Sequence, residues 1–231
     1  MVDRETWLLN LRRVNEGQED DLAEQYDQRW GEIQPVHRAW VERFLSLVSP
    51  EGVVLDAACG TGKYLGLVLD SGRQVIGVDH SSAALARAST KHPDASTRHL
   101  DLQDLAFEDE FDGVMCVDAM EFVPPEDWPI VMRAFRRAAR RDAWLYLTVE
   151  LAPAAEVVAL NRELAESGLP VVEGEVMWDQ PDGYYHFHPD MTRVRAWIVG
   201  AGFVIEDDVE GPWTTDAEGS YAYHHVLARA A

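Results

Sequence analysis

A short apolar run that leads through an acidic residue into a glycine turn constrains this chain more than any other feature. The segment VVLDAACGTGKY spans 53–64. Its first three residues, ahead of Asp56, predict a buried parallel strand, and the chain then turns at Gly60 and Gly62 into an apolar helix, 65–69. The two glycines allow the backbone to approach a ligand where a Cβ would collide. A dinucleotide-binding loop would require a third glycine where this chain has leucine.

Acidic residues follow the next predicted strands in the same way. A second strand ends at Asp79, whose carboxylate can accept hydrogen bonds from both hydroxyls of a ribose. Ser81 or Ser82 is expected to cap the following helix. Asp101 follows a further short apolar stretch, and 111–123 is predicted to hold a fourth strand and the loop after it.

These elements, in this order and spacing, resemble the class I (Rossmann-like) S-adenosylmethionine-dependent methyltransferases of the small-molecule type. The resemblance implies an α/β fold: a doubly wound, seven-stranded, mostly parallel sheet with an antiparallel last strand, a helical N-terminal cap and a lid insertion. It also implies S-adenosylmethionine as cofactor and S-adenosylhomocysteine as product. An unrelated doubly wound protein is the structural alternative, and a nicotinamide enzyme is disfavoured by the missing third glycine.

We predict four parts along the chain: a helical cap (1–50), a cofactor-binding core (51–150), a substrate lid (151–189) and the C-terminal part of the core sheet (190–231). Three runs of apolar residues at helical spacing predict three helices in the cap. The segment 171–189 is expected to be irregular, and mobile without ligand. Alternating patterns in the core predict strands at 53–57, 74–79, 97–100, 112–117 and 144–149.

The resemblance also assigns cofactor residues, position by position. The methionine portion is expected to lie near Asp56, Ala58, Gly60, Gly62 and Tyr64. The ribose is assigned to Asp79, the adenine to His80, Asp101 and the backbone of Leu102, and the methionine ammonium to the Val117 carbonyl and Asp118. From the cap, Tyr26 is expected to close over the cofactor and Arg29 to pair with its carboxylate. The alternatives are a surface loop for His80, and a packing face with a surface arginine for Tyr26 and Arg29.

Methyl transfer requires a nucleophile aligned about 3 Å from the methyl carbon with water excluded. A base is needed only if the nucleophile arrives protonated. The candidate catalytic residues are Glu121, His186 and His224, and further candidates facing the acceptor are Glu150, Tyr185, His188, Tyr223 and His225. Because successive side chains of a strand face opposite ways, at most one histidine of the adjacent pair in the last strand can point into the site. A surface glutamate and structural histidines are the alternatives.

Composition narrows the choice of partners. With 20 basic and 41 acidic residues, the net charge is −21, which disfavours nucleic acid and anionic membranes. The arginines between 133 and 141 are interpreted as a solvated face of one helix. No apolar run approaches the ~20 residues of a membrane span. The 2 cysteines lack a CxxC pattern, so we expect no metal site and no disulfide framework, in a cytoplasmic protein.

The sequence therefore predicts an enzyme that methylates an O or N nucleophile of a small molecule, as a monomer or homodimer. The glutamates at 121, 150, 173 and 175 around an aromatic lid would suit an amine or another cation, and the same lid would suit an aromatic or sugar hydroxyl. The alternative is a non-catalytic regulatory or scaffold protein that binds the same cofactor. A nucleic-acid methyltransferase would carry an (N/D)PPY element after the fourth strand, where this chain has DAME.

Overall fold

A computed structural model describes residues 3–178, 183–216 and 219–231. Its helices are α1 (Arg4–Trp30), α2 (Pro35–Leu47), α3 (Leu65–Asp70), α4 (Ser82–Lys91), α5 (Trp128–Ala138), α6 (Ala154–Glu166) and α7 (Met191–Gly200). Its strands are β1 (Val53–Ala57), β2 (Gln74–Asp79), β3 (Ser96–His99), β4 (Phe111–Cys116), β5 (Ala139–Leu151), β6 (Glu175–Trp178), β7 (Tyr184–Phe187), β8 (Phe203–Glu210), β9 (Thr214–Asp216) and β10 (Gly219–Ala230). Two short 3-10 turns follow β3 and β4, at Leu102–Asp104 and Met120–Phe122.

The main sheet has the strand order β3-β2-β1-β4-β5-β10-β8, and β9 pairs with β10. Neighbouring strands run parallel from β3 to β5, whereas β10 is antiparallel to both β5 and β8. The predicted doubly wound sheet with an antiparallel last strand is therefore confirmed. Because the chain crosses from the β2 side of β1 to its β4 side, the carboxyl ends of these strands border the crevice in which such folds bind ligands.

The core lies on both faces of this sheet. Successive residues of each central strand belong to opposite apolar clusters, as the two-residue period of a strand requires. One cluster includes Leu55, Val114 and Leu145. The other cluster includes Val54, Met115 and Tyr146. Burial on both faces is the reason why these strands read as continuous apolar runs.

The N-terminal cap contains two helices, not the three predicted. α1 continues through Gly17, where a Cβ would meet no atom within 4 Å, so the glycine leaves the helix intact on an open face. Asp3 caps the helix by accepting a bond from the Thr6 N–H at 2.9 Å. No helix in the described part of the chain is long and apolar enough to cross a membrane.

The predicted arginine-rich helix is also shorter than expected. α5 ends at Ala138, and Arg140 and Arg141 belong to β5, because Ala139 already pairs with Phe111 of β4. The interpretation of these arginines as one helical face is therefore wrong. Arg136, in the last turn of α5, donates to the Ala231 carbonyl at 2.6 Å and so ties the helix to the end of the chain.

The segment 171–189, expected to be irregular, contains two short strands in its described part. β6 and β7 form an antiparallel pair with Glu175 opposite Phe187; residues 179–182 of the predicted lid lie outside the described residues. Glu175 is fully buried and accepts hydrogen bonds from both terminal nitrogens of Arg4, at 2.8 and 2.9 Å. The Tyr185 hydroxyl donates to the same carboxylate at 2.7 Å. Glu175 and Tyr185 therefore anchor the pair and, contrary to expectation, do not line an acceptor pocket.

Candidate active site

A cavity of about 690 Å³ opens at the carboxyl ends of β1, β2 and β4, beneath α1. Each strand end contributes to its wall, and α1 covers it with Glu19 and Tyr26. Of the residues selected from the sequence, those that line the cavity are Tyr26, Arg29, Ala58, Gly60, Asp79, His80, Asp101, Leu102, Asp118, Glu121 and His186. Those that do not line it are Asp56, Gly62, Tyr64, Val117 and His224.

Gly60 and Gly62, the two glycines of the loop after β1, have different structural roles. At Gly60 (φ 51°) a Cβ would meet nothing within 4 Å, so the turn leaves open cavity space beside the backbone. At Gly62 (φ 84°) a Cβ would lie 3.1 Å from Leu65 and 3.2 Å from Ala88. Gly62 therefore allows the loop to turn and pack on α3 and α4, whereas Gly60 provides the ligand-facing surface.

Asp79 connects this loop to the next one. Its Oδ2 accepts the Gly60 N–H at 2.7 Å, and its Oδ1 accepts the Ser81 N–H at 2.8 Å. Burial raises the pKa of Asp79. Ser81 in turn caps α4 by accepting the Ala84 N–H at 3.0 Å, which selects Ser81 over Ser82. The carboxylate therefore holds both loops and still faces the cavity.

Two carboxylates near the first loop have buried oxygens with no hydrogen-bond partner in the described structure. Asp56 Oδ2 is one, and burial together with the charge of Asp79 raises the pKa of Asp56 to about 8. Asp118 Oδ1 is the other. Asp118 Oδ2 accepts the Tyr64 hydroxyl at 3.0 Å and lies 3.5 Å from Lys63 Nζ. Of the two, only Asp118 lines the cavity, where its oxygen fits an ammonium and Lys63 fits a carboxylate, the two charged groups of a methionine end.

Tyr64 and Arg29 occupy different positions from those expected. Tyr64 is buried beneath the loop and positions Asp118, with its hydroxyl also 3.1 Å from His37 Nδ1. Arg29 is exposed at the rim of the cavity, with its guanidinium carbon 5.4 Å from the centre of the Trp30 ring.

His224 does not belong to the cavity. Its Nε2 contacts the Asp208 carboxylate, which Arg195 also binds. Tyr223, the preceding residue, lines the cavity instead, as the alternation of β10 requires. His225, on the same face of the strand as Tyr223, does not line the cavity and stacks on Trp40 with ring centres 5.2 Å apart. The catalytic assignment of His224 is therefore not supported by its position.

The cavity also contains a group of titratable side chains from the segments after β4, at the end of β5 and in and after β7. Glu121 is 4% exposed, and its Oε2 has no partner in the described structure. His186 Nδ1 lies 2.7 Å from Glu150 Oε2, and His188 Nδ1 lies 3.3 Å from the Glu150 carbonyl oxygen. We call Glu121, Glu150, His186 and His188 the acceptor end of the cavity.

The two glutamates of the acceptor end are shifted in opposite directions. Burial, followed by the charges of Glu150 and Asp118, raises the pKa of Glu121 well above its usual range. Burial also acts to raise the pKa of Glu150, but the charge and hydrogen bond of His186 lower it overall. The surroundings therefore favour the protonated form of Glu121, which can donate a hydrogen bond, and the ionised form of Glu150.

Several residues that line the cavity were not predicted from the sequence. Two of them, Glu19 and Lys63, could have been found from their positions in the chain. Glu19 lies seven positions before Tyr26, so both occupy one face of α1. Burial and the charge of Asp79 raise the pKa of Glu19 to about 7. Lys63 follows Gly62 directly and could have been read with the turn. His37 had no such signal, because α2 only approaches the site in the folded chain.

Comparison with known proteins agrees with this geometry. Residues 54–142 match a family model described as a methyltransferase domain. A dTDP-3-amino-3,6-dideoxy-α-D-glucopyranose N,N-dimethyltransferase of Streptomyces fradiae is 35% identical over 42% of this chain and 40% of its own length. A ubiquinone biosynthesis O-methyltransferase of Stutzerimonas stutzeri is 24% identical over 80% of this chain and 81% of its own length.

Solved structures show the same fold. A methyltransferase of Methanosarcina mazei has a TM-score of 0.71 at 17% identity, covering 86% of this chain and 98% of that one. A 1,6-didemethyltoxoflavin-N1-methyltransferase of Burkholderia thailandensis, with its namesake compound and S-adenosylhomocysteine bound, has a TM-score of 0.69 at 14% identity, covering 100% and 91%.

The sheet, the glycine turn and the acidic strand ends around one cavity define the class I, Rossmann-like methyltransferases. The chain has the fold of this class, and its residues 54–142 match the methyltransferase domain.

Proposed function

We propose that this protein transfers a methyl group to an oxygen or nitrogen atom of a small molecule bound at the acceptor end of the cavity. The observation that carries the proposal is the continuity of one cavity from Asp79 and Gly60 to Glu121 and His186. Residues suited to an adenosine and residues suited to a polar acceptor therefore share one enclosed space. The two curated relatives named above, an N,N-dimethyl- and an O-methyltransferase, support the choice of nucleophile.

The residues of the cavity divide by chemistry. Asp79 is placed to bind the ribose hydroxyls, Asp101 and Leu102 the adenine, and Lys63 and Asp118 the charged methionine end. When bound, S-adenosylmethionine supplies an electrophilic methyl group on its sulfonium.

Glu121, as a neutral carboxyl, donates a hydrogen bond that orients the acceptor. Phe122, Trp178 and Tyr184 bring aromatic faces to the same wall, while Glu150 and Glu156 add carboxylates. Carboxylates beside aromatic faces favour an amine or another cation, because both attract positive charge. The exclusion of nucleic acid, the cytoplasmic location and the monomeric or homodimeric state stay predictions.

Calorimetric titration with S-adenosylmethionine and S-adenosylhomocysteine tests the cofactor assignment. We expect Asp79→Ala to weaken both by roughly 10- to 150-fold, since charge-assisted hydrogen bonds contribute about 1.5–3 kcal/mol. The matched control is Asp94→Ala, which removes an exposed aspartate outside the cavity and leaves the affinity unchanged. Equal affinities of the Asp79 variant and the wild type would remove the ribose assignment.

A screen of amines, phenols and carboxylates for release of S-adenosylhomocysteine tests the transfer itself. We expect release with a subset of amines or hydroxyl compounds. A protein that binds the cofactor but releases product with none of them would instead fit the regulatory or scaffold alternative.

A further inference from the structure

We propose that Glu150, His186 and His188 form a binding site for one divalent transition-metal ion in the wall of the cavity. The sequence predicted no metal site, because the 2 cysteines lack a CxxC pattern, and Glu150 is far from the two histidines in the chain. The fold brings them together: Glu150 lies near the end of β5, and His186 and His188 lie in and directly after β7. The site is separate from the residues assigned to the cofactor.

The geometry is that of a three-ligand site. One ligand atom from each of the three side chains lies within 4.8 Å of the other two. The Glu150 carboxylate already lies close to one histidine, with its Oε2 2.7 Å from His186 Nδ1. Metal–ligand bonds of about 2.0–2.2 Å place ligand atoms roughly 3–3.6 Å apart, so small side-chain rotations suffice. Residues two apart along a strand share a face, which directs both histidines to the same carboxylate.

Burial and missing partners also point to a ligand. The side chains of Glu150, His186 and His188 are 14%, 15% and 6% exposed. His188 Nε2 and the neighbouring Glu121 Oε2 are buried and have no hydrogen-bond partner in the part of the chain that the structure describes. An imidazole whose second nitrogen contacts a backbone carbonyl, as His188 Nδ1 does with Glu150, is the usual arrangement of a metal-bound histidine.

The ligand set identifies the kind of metal. Two imidazoles and one carboxylate suit zinc, iron(II), cobalt(II) or manganese(II), whereas magnesium and calcium prefer ligand sets made only of oxygen atoms. Three protein ligands leave coordination positions open to a small molecule. Because the site faces the cavity, the metal would bind an oxygen or nitrogen atom of the acceptor; this role, unlike the metal binding itself, rests on the proposed function. His186 then acts as a ligand and not as the proton acceptor.

Metal titration of the full chain tests the proposal. Protein stripped with a chelator and dialysed into 150 mM salt is titrated with Zn²⁺ by calorimetry and with Co²⁺ by absorption spectroscopy. We expect one ion per chain, and a loss of affinity of more than ~100-fold in the double variant His186→Ala/His188→Ala and in Glu150→Ala. The matched control is His224→Gln, which breaks a histidine–carboxylate pair outside the cavity and retains metal binding.

S-adenosylhomocysteine affinity is measured in the same variants, so that the two proposals can fail separately. Unchanged cofactor affinity with lost metal binding supports the site and shows that the variants are folded. Absence of binding in the wild type overturns the proposal. Weak binding that persists in the double variant, or is equally lost in the His224 variant, also overturns it and shows only adventitious binding to an acidic surface.

Discussion

Glu121 lies where burial and two neighbouring carboxylates act on one carboxyl group. They raise its pKa well above the usual range, which favours the protonated form, and this form can donate a hydrogen bond. The sequence hypothesis was that Glu121 positions or deprotonates the acceptor, and the structure favours positioning.

Substitutions of Glu121 distinguish positioning of the acceptor from its deprotonation. We expect Glu121→Gln, which keeps a donor, to retain turnover within ~3-fold, and Glu121→Leu to lower it by 10-fold or more. Cofactor affinity is measured in both variants and is expected to match the wild type. If the Gln and Leu variants lose turnover equally at neutral pH, the ionised carboxylate is required and Glu121 acts as a base.

The sequence predicted residues of the cofactor loops better than those of the acceptor end, and for a physical reason. Gly60, Asp79 and Asp118 follow strands directly, so their place at the sheet edge depends only on local chain direction. His186 could be proposed from composition, but its contact with Glu150 depends on how β7 docks on β5, which no local pattern specifies. For the same reason the sequence could not show that His224 does not line the cavity: the face of β10 that meets the cavity is set by its pairing.

At the scale of elements, the sequence of β7 in the β6–β7 hairpin has the alternation of a strand, which the sequence analysis did not use. Tyr185 and Phe187 are buried whereas Tyr184 and His186 are half-buried, the two-residue alternation of a strand.

The sequence predicted α1 as two helices because Gly17 disfavours helix by about 1 kcal/mol. In the structure, the Ser81 hydroxyl donates to Asp20 and the Thr61 hydroxyl donates to Asp27, both at 2.6 Å, and these bonds hold the helix over the loops after β1 and β2.

The buried ion pair that anchors β6 to α1 is expected to be important for stability. Arg4→Met leaves Glu175 without a cation at a fully buried position, and we expect a loss of about 3 kcal/mol in the free energy of unfolding. Arg229→Met is the matched control, because it breaks exposed pairs with Asp142 and Glu206 and costs less than about 1 kcal/mol. Urea denaturation measures both. Similar losses in the two variants would contradict the structural role of the Arg4–Glu175 pair.

The predicted lid, 171–189, can be tested on the whole segment. We expect limited proteolysis within it to slow when S-adenosylhomocysteine and an acceptor analogue are bound, because a closed cavity protects the covering backbone. The control is cleavage elsewhere in the chain, followed by mass spectrometry and expected to change little. Equal cleavage rates within the segment, with and without ligand, would make it a fixed wall.

At the scale of the whole molecule, the sheet was predictable because its central strands are buried on both faces and appear as apolar runs. The start of β5 was not predictable in this way, since Arg140 to Asp142 carry charge at the beginning of the strand and resemble the end of a helix. The cavity itself is a consequence of topology: the crossover between β2 and β4 brings acidic strand ends together that are distant in the chain. Eight of the acidic side chains line this one cavity: Glu19, Glu32, Asp79, Asp101, Asp118, Glu121, Glu150 and Glu156.

The stability of the whole fold is expected to fall in mild acid because of a histidine outside the cavity. His225 is 1% exposed, stacks on Trp40, and has Nδ1 3.0 Å from the Tyr146 hydroxyl. Burial, then His37 and His224, lowers its pKa to about 3. The fold therefore favours the neutral imidazole. Its contribution to stability is fully present above about pH 6.5, the pKa of a histidine in the unfolded chain. The contribution is lost progressively as the pH falls from there toward 3.

The expected effect is about 1 kcal/mol of unfolding free energy per pH unit between pH 6 and 4. Urea denaturation of the wild type and of His225→Gln at pH 7, 6, 5 and 4 measures it. The Gln variant has a lower stability at pH 7, because it loses the stacked ring, but a shallower decline in acid, because nothing titrates at this position. Comparing slopes removes the contribution of the many carboxylates, which the two proteins share. Parallel profiles would show that His225 becomes protonated without cost and that acid unfolding originates elsewhere.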